Sequence, residues 1–301
     1  AAPTMRRLDL QVILGTFAIA FGSLVVFFVM LHYRSNGRGC DQSLTDSNGF
    51  MCLSDSMWAE KKRIFRLQTE HQFTSNSVEP NTWIAQNAHP VLTCALEERL
   101  GGFGDGGKWI CDPSTLAKQV QVRKQTHPHL DPPCLIYSFG SNDDFSYEES
   151  MHERFPDCGI FVFDHTGDAH PPPYVTFSRW GLAGQNFPPD NATGNGPMYT
   201  LETIMGNLGH RGRTIDILKV DVEGWEFVTF VPLFQEHFLP FHQLQIEIHL
   251  EIAKYGQWFF QQMLAHHLVI FHKEPNVMQG CGGMCAEYSL IKMAPSWFEG
   301  P

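Results

Sequence analysis

Hydrophobic and polar positions follow two different periods along most of this chain. Short apolar runs recur at 135–139, 159–164, 174–179, 215–222, 244–249, 268–272 and 287–292, and each reads as a strand. Runs that are apolar on both faces belong to parallel strands covered by helices. The third run is the weakest, because three prolines precede it. Between the runs the period lengthens. Leu201, Ile204, Met205 and Leu208 follow i, i+3, i+4, i+7 and make one apolar helical stripe. A second helix fits 146–155, between the first two strands. This spacing predicts βαβ units and a mostly parallel sheet of the α/β class. Residues 275–286 are too few and too rich in glycine for a helical crossover, so the last two strands should form an antiparallel hairpin. There is no internal repeat.

The N-terminal part is patterned differently. Residues 10–33 contain no Asp, Glu, Lys or Arg and are long enough to cross roughly 30 Å of hydrocarbon. A cleaved signal peptide would have a shorter apolar core ending in small residues. This run ends instead in bulky Phe27, Phe28, Met30 and Leu31. The division expected is a tail at 1–9, a transmembrane signal-anchor at 10–33, a polar stem at 34–88 with one helix at 54–71, and a folded domain at 89–301. Arg6 and Arg7 before the span are nearly balanced by Arg34 and Arg38 after it. All eight cysteines follow the span, as does the glycosylation sequon Asn191-Ala192-Thr193. Both favour a type II protein whose body is in the Golgi/ER lumen or outside the cell; secretion is the alternative. The net charge of -11, with no basic face, argues against nucleic acid as a partner.

Candidate chemistry concentrates where apolar runs end in charge. The run 215–222 leads into Glu223-Gly224-Trp225-Glu226, and ligand crevices of open α/β sheets lie at such carboxyl edges. Asp221 and Glu223 share one face, and Glu247 and His249 repeat the device on the following strand. Side by side, the four would form a general-base site or hold a divalent metal. They could equally cap helices or pair with Lys219 or Arg213. Asp164, closing the second strand, suits a ribose-binding acid or a turn before His165-Thr166-Gly167. Gly140 permits close backbone approach, and Asn142 or Asp143 could cap the next helix. A Walker-type phosphate loop is absent. The glycine-rich stretch 101–109 lies between Cys94 and Cys111, and reads as a loop closing on a ligand or as a hairpin pinned by a disulfide. Cys134 and Cys158 begin two strands and could pair. Cys281 and Cys285 flank the tip of the final hairpin. No metal is assigned, since zinc needs four well-spaced ligands.

Taken together these motifs resemble a known family. Leu218-Lys219-Val220-Asp221-Val222-Glu223-Gly224-Trp225-Glu226 is similar to the signature of FkbM-type methyltransferases. Gly104-Asp105-Gly106-Gly107-Lys108-Trp109-Ile110-Cys111-Asp112, Tyr137-Ser138-Phe139-Gly140 and Phe163-Asp164 resemble, more narrowly, the methyltransferase-like protein 24 family of animals. The resemblance covers about residues 89–293 and the anchor. It implies a class I, Rossmann-like methyltransferase sheet of seven strands, the last antiparallel and inserted. It also implies S-adenosyl-L-methionine as cofactor, with Gly140 and Ser141 at its methionine part, Asp164 at the ribose and Asp221 at the sulfonium. The cofactor candidates are therefore Gly140, Ser141, Asp143, Asp164 and Asp221; the catalytic candidates are Asp221, Glu247 and His249. The implied reaction is O-methyl transfer to a hydroxyl acceptor. One departure stands out, since the loop after the first strand has a single glycine. Two other readings are a non-catalytic module on the same fold, and a lumenal glycosyltransferase with Asp221-Val222-Glu223 as a degenerate Asp-x-Asp metal motif.

Overall fold

A computed structural model describes residues 39–299, except 104–105, 167–168, 250, 277–280 and 282–283. Three helices come first, α1 (Asp41–Asp46), α2 (Asp55–Thr69) and α3 (Pro80–Gln86). A hairpin of β1 (Glu97–Leu100) and β2 (Lys108–Cys111) leads into α4 (Pro113–Thr126). The sheet then begins with β3 (Leu135–Phe139), α5 (Ser146–Arg154), β4 (Gly159–Phe163) and β5 (Val175–Ser178). Two short strands, β6 (Gly181–Leu182) and β7 (Met198–Tyr199), precede α6 (Leu201–Asn207). The chain continues through β8 (Ile215–Val220), α7 (Glu226–Gln235), β9 (Phe241–Ile248) and α8 (Ile252–Ala265), and ends with β10 (Leu268–Asn276), β11 (Cys285–Lys292) and α9 (Pro295–Phe298).

Seven strands form one sheet in the order β10-β11-β9-β8-β3-β4-β5. Only β11 runs antiparallel to its neighbours, inserted between β9 and β10. This is the α/β methyltransferase-like arrangement, with all seven runs of the hydrophobic pattern in it. β9 starts three residues before the apolar run because His242 and Gln243 interrupt the pattern, although Gln243 is fully buried. The Gln243 amide is satisfied by Cys111, donating to its carbonyl at 2.8 Å and accepting from its N–H at 2.9 Å. That pair docks β2 against the sheet.

Alternate side chains of each strand feed two cores. Tyr137, Phe139, Leu218, Val220, Leu244 and Ile246 pack with α6, α7 and α8 on one face. Ile136, Ile160, Val162 and Ile217 pack with α2, α4 and α5 on the other. The result is a three-layer sandwich.

The polar stretch 34–88 departs from the stem expected of it. From Cys40 onward it is folded into the domain. Trp58 and Phe65, seven residues apart on α2, pack on Trp297 of α9 with ring centroids at 4.7 and 5.3 Å. Asp46, buried at the end of α1, accepts from the Trp58 indole N–H at 2.7 Å and pairs with Lys62 at 2.9 Å. Burial opposes its charge, but Lys62, Ser296, Trp58 and Gln42 together hold the carboxyl below its usual range. On the other face Trp83 of α3 lies so close to Gly256 of α8 that a Cβ there would meet its ring at 2.6 Å. A few large aromatics at helical spacing thus anchor a segment whose average composition is polar. Replacing Trp83 with Ala should cost about 3–5 kcal/mol in denaturant unfolding; a loss near zero would restore the stem reading.

Four disulfides pair all eight cysteines: Cys40–Cys52, Cys94–Cys111, Cys134–Cys158 and Cys281–Cys285. The tail at 1–9 and the expected anchor at 10–33 lie outside the described residues. Among the described residues no helix is long and apolar enough to cross a membrane.

Candidate active site

The carboxyl ends of β3, β4 and β8 are stitched together by backbone hydrogen bonds. Gly140 N–H donates to the Phe163 carbonyl at 2.9 Å, and Asp221 N–H to the Phe139 carbonyl at 3.1 Å. Gly140 has φ +80°, and a Cβ on it would overlap the Asp221 carbonyl oxygen. Asn142 and Asp143 also adopt left-handed backbone, at φ 47° and 59°. Asn and Asp tolerate that region best after glycine. They supply the turn that further glycines provide elsewhere, which accounts for the single glycine in this loop.

A cavity of 420 Å³ opens at this edge, within the size range of small-molecule sites, roughly 300–1,000 Å³. Gly140, Ser141, Asp164 and Asp221, all named as cofactor candidates above, are on its wall. Asp164 is fully engaged. One oxygen accepts from the N–H groups of Ser141 (3.1 Å) and Asn142 (2.9 Å). The other accepts from the Thr166 N–H (3.0 Å) and hydroxyl (2.6 Å). Burial works against its charge, yet these bonds keep its carboxyl below the usual range. A carboxylate has about four lone-pair sites, so only rotation of the Thr166 hydroxyl would free one for a ligand.

The other three candidates are elsewhere. Asp143 points away to His170, accepting from its backbone N–H at 2.7 Å. The His170 bonds hold its carboxyl below the usual range, and it does not line the cavity. Glu247 and His249 do converge with Asp221, but behind the wall. His249 Nδ1 is 2.8 Å from Glu226 Oε1, while its Nε2 is 3.5 Å from Glu223, 3.9 Å from Glu247 and 4.0 Å from Asp221. Adjacent parallel strands β8 and β9 bring these side chains together, as their matched spacing implies.

Lysines organise this cluster. Lys108, 2% exposed, reaches in from β2 to pair with Glu287 and lies 3.7 Å from Asp221. Burial opposes its charge, but Glu287, Asp221 and Glu247 hold the ammonium charged well above its ordinary range. Lys219 Nζ donates to the Gly140 carbonyl at 2.6 Å. Asp221 is partly buried, which alone would favour its neutral form; Lys219, Lys108 and His249 outweigh this and lower its pKa. Glu247 is pushed up to about 8 by burial and by the charges of Glu287 and Asp221. His249 rises to about 9, burial being overcome by Glu226, Glu247 and Asp221. At neutral pH His249 is therefore a cation and a poor proton acceptor, and Asp221 is a weakly basic carboxylate.

Both raised groups bind protons more tightly in the folded than in the unfolded chain. Their stabilisation is complete below the unfolded values, 4.5 and 6.5, and is lost as pH rises through 8 and 9. Melting temperature of the disulfide-closed protein should fall between pH 6.5 and 9, and Glu247→Gln should flatten the fall. An equally steep profile in that variant would refute the assignment.

The wall itself is anionic. Asp144, Glu148, Asp164, Asp221 and Glu223 line the cavity, against Lys219, whose ammonium is already engaged. Three buried side-chain atoms there have no hydrogen-bond partner among the described residues, Ser141 Oγ, Tyr147 Oη and Glu148 Oε1. Trp180 adds an aromatic wall, 6.2 Å from Phe163 and nearly parallel to it. Carboxylates, spare polar atoms and a flat apolar surface fit S-adenosyl-L-methionine, which combines a sulfonium, polar groups and a purine.

A profile of the family described as "Methyltransferase domain" matches residues 41–292. The chain belongs to this methyltransferase domain family. The match begins at α1, in keeping with the packing of the first three helices onto the domain. Among solved structures, a ribosomal RNA methyltransferase of Plasmodium falciparum is similar, with 12% identity and a TM-score of 0.36, over 59% of this chain and 96% of that one. So low a score carries no further inference. No curated protein matches the chain in sequence. Within the methyltransferase domain, Lys108, Lys219, Glu287 and Trp180 went unrecognised as site residues from sequence. Only Lys108 left a usable signal, as a lone charge on the same strand face as the core residue Ile110.

Proposed function

We propose that the chain is an S-adenosyl-L-methionine-dependent methyltransferase that transfers the methyl group to a hydroxyl acceptor. The observation that carries the reading is the anionic cavity at the ends of β3, β4 and β8, with Ser141 Oγ and Glu148 Oε1 buried and unpartnered in it. Bound there, the cofactor supplies an electrophilic methyl group. Ser141 and Asp164 would hold its polar groups, Trp180 its flat apolar part, and Asp221 its cationic centre. The low basicity of Asp221 suits a group that stabilises charge rather than one that takes a proton. Placement of the reactants then provides most of the acceleration, since well-oriented groups reach effective molarities on the order of 10⁵–10⁸ M. The hydroxyl acceptor rests on the resemblance of the 218–226 motif to FkbM-type enzymes.

The same reading makes 10–33 a membrane anchor and places the domain in the lumen or outside the cell. Four disulfides suit an oxidising compartment, and Asn191 of the sequon is exposed.

Calorimetry of the protein with S-adenosyl-L-methionine is the direct test, and saturable binding of one cofactor per chain is expected. Asp164→Ala should weaken it about tenfold, the worth of roughly one charge-assisted hydrogen bond. Absence of binding by demonstrably folded protein would overturn the proposal.

A further inference from the structure

Glu247 and His249, at the end of β9, meet Cys281 and Cys285 of the β10–β11 connection. One ligand atom from each lies within 4.8 Å of the others, and all four residues are buried. Cys281 Sγ is 4.0 Å from Glu247 Oε1. We propose that these four side chains form a zinc site that is filled when the Cys281–Cys285 disulfide is open.

The donor set is the first argument. Thiolate, imidazole and carboxylate are all zinc ligands, and four of them give a closed, tetrahedral site, while thiolate with imidazole selects zinc over harder cations. The second argument is the support behind the harder donors. His249 Nδ1 is fixed by Glu226, which is fully buried, so that Nε2 is the nitrogen left to coordinate. Glu247 Oε1 accepts from Asn276 Nδ2 at 2.8 Å. A carboxylate behind a ligating imidazole, and a hydrogen bond on a ligating carboxylate, are the outer contacts that orient metal ligands.

The chemistry balances simply. A phosphine or thiol reductant gives two electrons to the disulfide, two protons are taken up, and two thiols form. Zinc then replaces the two thiol protons together with the protons that His249 and Glu247 carry at neutral pH, all of which pass to solvent, without further redox change. Four protein ligands leave no open position, so the ion would clamp the β10–β11 connection to β9 rather than act on the methyl acceptor. The site would exchange a disulfide clamp for a metal clamp as redox conditions change.

The test uses the full chain with its disulfides formed. It is treated with graded phosphine in the presence of zinc. Thiol alkylation with mass spectrometry reports which cysteines are open, atomic absorption reports bound zinc, and circular dichroism reports folding. The expected result is one zinc per chain in proportion to opening of Cys281–Cys285, with both thiols shielded from alkylation. Glu226→Gln should lower zinc affinity about 10–100-fold at unchanged stoichiometry. Three results would overturn the proposal: open thiols that retain no zinc, undiminished zinc binding in the Cys281→Ser/Cys285→Ser variant, or a pair that opens only when the chain unfolds.

Discussion

Lys108→Met is expected to destabilise the domain by about 3–5 kcal/mol, the typical cost of removing one partner from a buried ion pair. Lys108 is 2% exposed and faces Glu287, Asp221 and Glu247. Removing its ammonium leaves carboxylates that burial already disfavours, with no cation to offset them. Methionine matches the stem in volume, so cavity formation contributes little and the loss reports on charge. Urea unfolding monitored by fluorescence measures it. Glu287 is the nearer partner, and its own carboxyl is raised by burial despite the lysine. Neutralising both, in Lys108→Met/Glu287→Gln, should therefore recover a substantial part of the loss. If the single variant unfolds at the wild-type midpoint, or the double variant shows only the sum of the two losses, the ion pair has no such role.

The example also shows which parts of the fold could be read from sequence. The strands of the sheet are apolar on both faces, and burial on both faces is what a central parallel strand requires, so 135–139 and 215–222 were unmistakable. The convergence of Asp221 with Glu247 and His249 followed from two matched strand ends. What could not be read depends on contacts between distant segments. Gln243 looks like a surface residue until Cys111 satisfies its amide. Residues 41–88 look like a stem because their polarity outweighs the few aromatics that bury them. Depth was equally illegible, since strand register places Glu247 and His249 beside Asp221 but does not say which of the three faces the cavity. The turn at Asp143 was read as part of the cofactor loop, and the partner that diverts it, His170, lies 27 residues away.

Asp221→Asn should weaken S-adenosyl-L-methionine binding about tenfold to a hundredfold, equivalent to about 1.5–3 kcal/mol for a hydrogen bond or contact to a charged group. The substitution keeps shape and removes charge. It is milder for the fold than Lys108→Met, because Lys108 retains Glu287 and Lys219 retains the Gly140 carbonyl. The outcome separates two duties for this carboxylate. A charge-stabilising group loses cofactor affinity on neutralisation, and calorimetry without any acceptor detects it. A general base would leave binding intact and reduce turnover alone. The depressed pKa of Asp221 predicts the first. Its folded value lies below 3.8, so its negative charge is present throughout the neutral range and is lost only as pH falls through that lower value. Cofactor affinity should therefore be insensitive to this group from pH 5 upward, and turnover should show no rise near pH 4 to 5 that Asp221→Asn abolishes. A variant that binds cofactor like wild type but turns over a hundredfold more slowly would return Asp221 to the role of base.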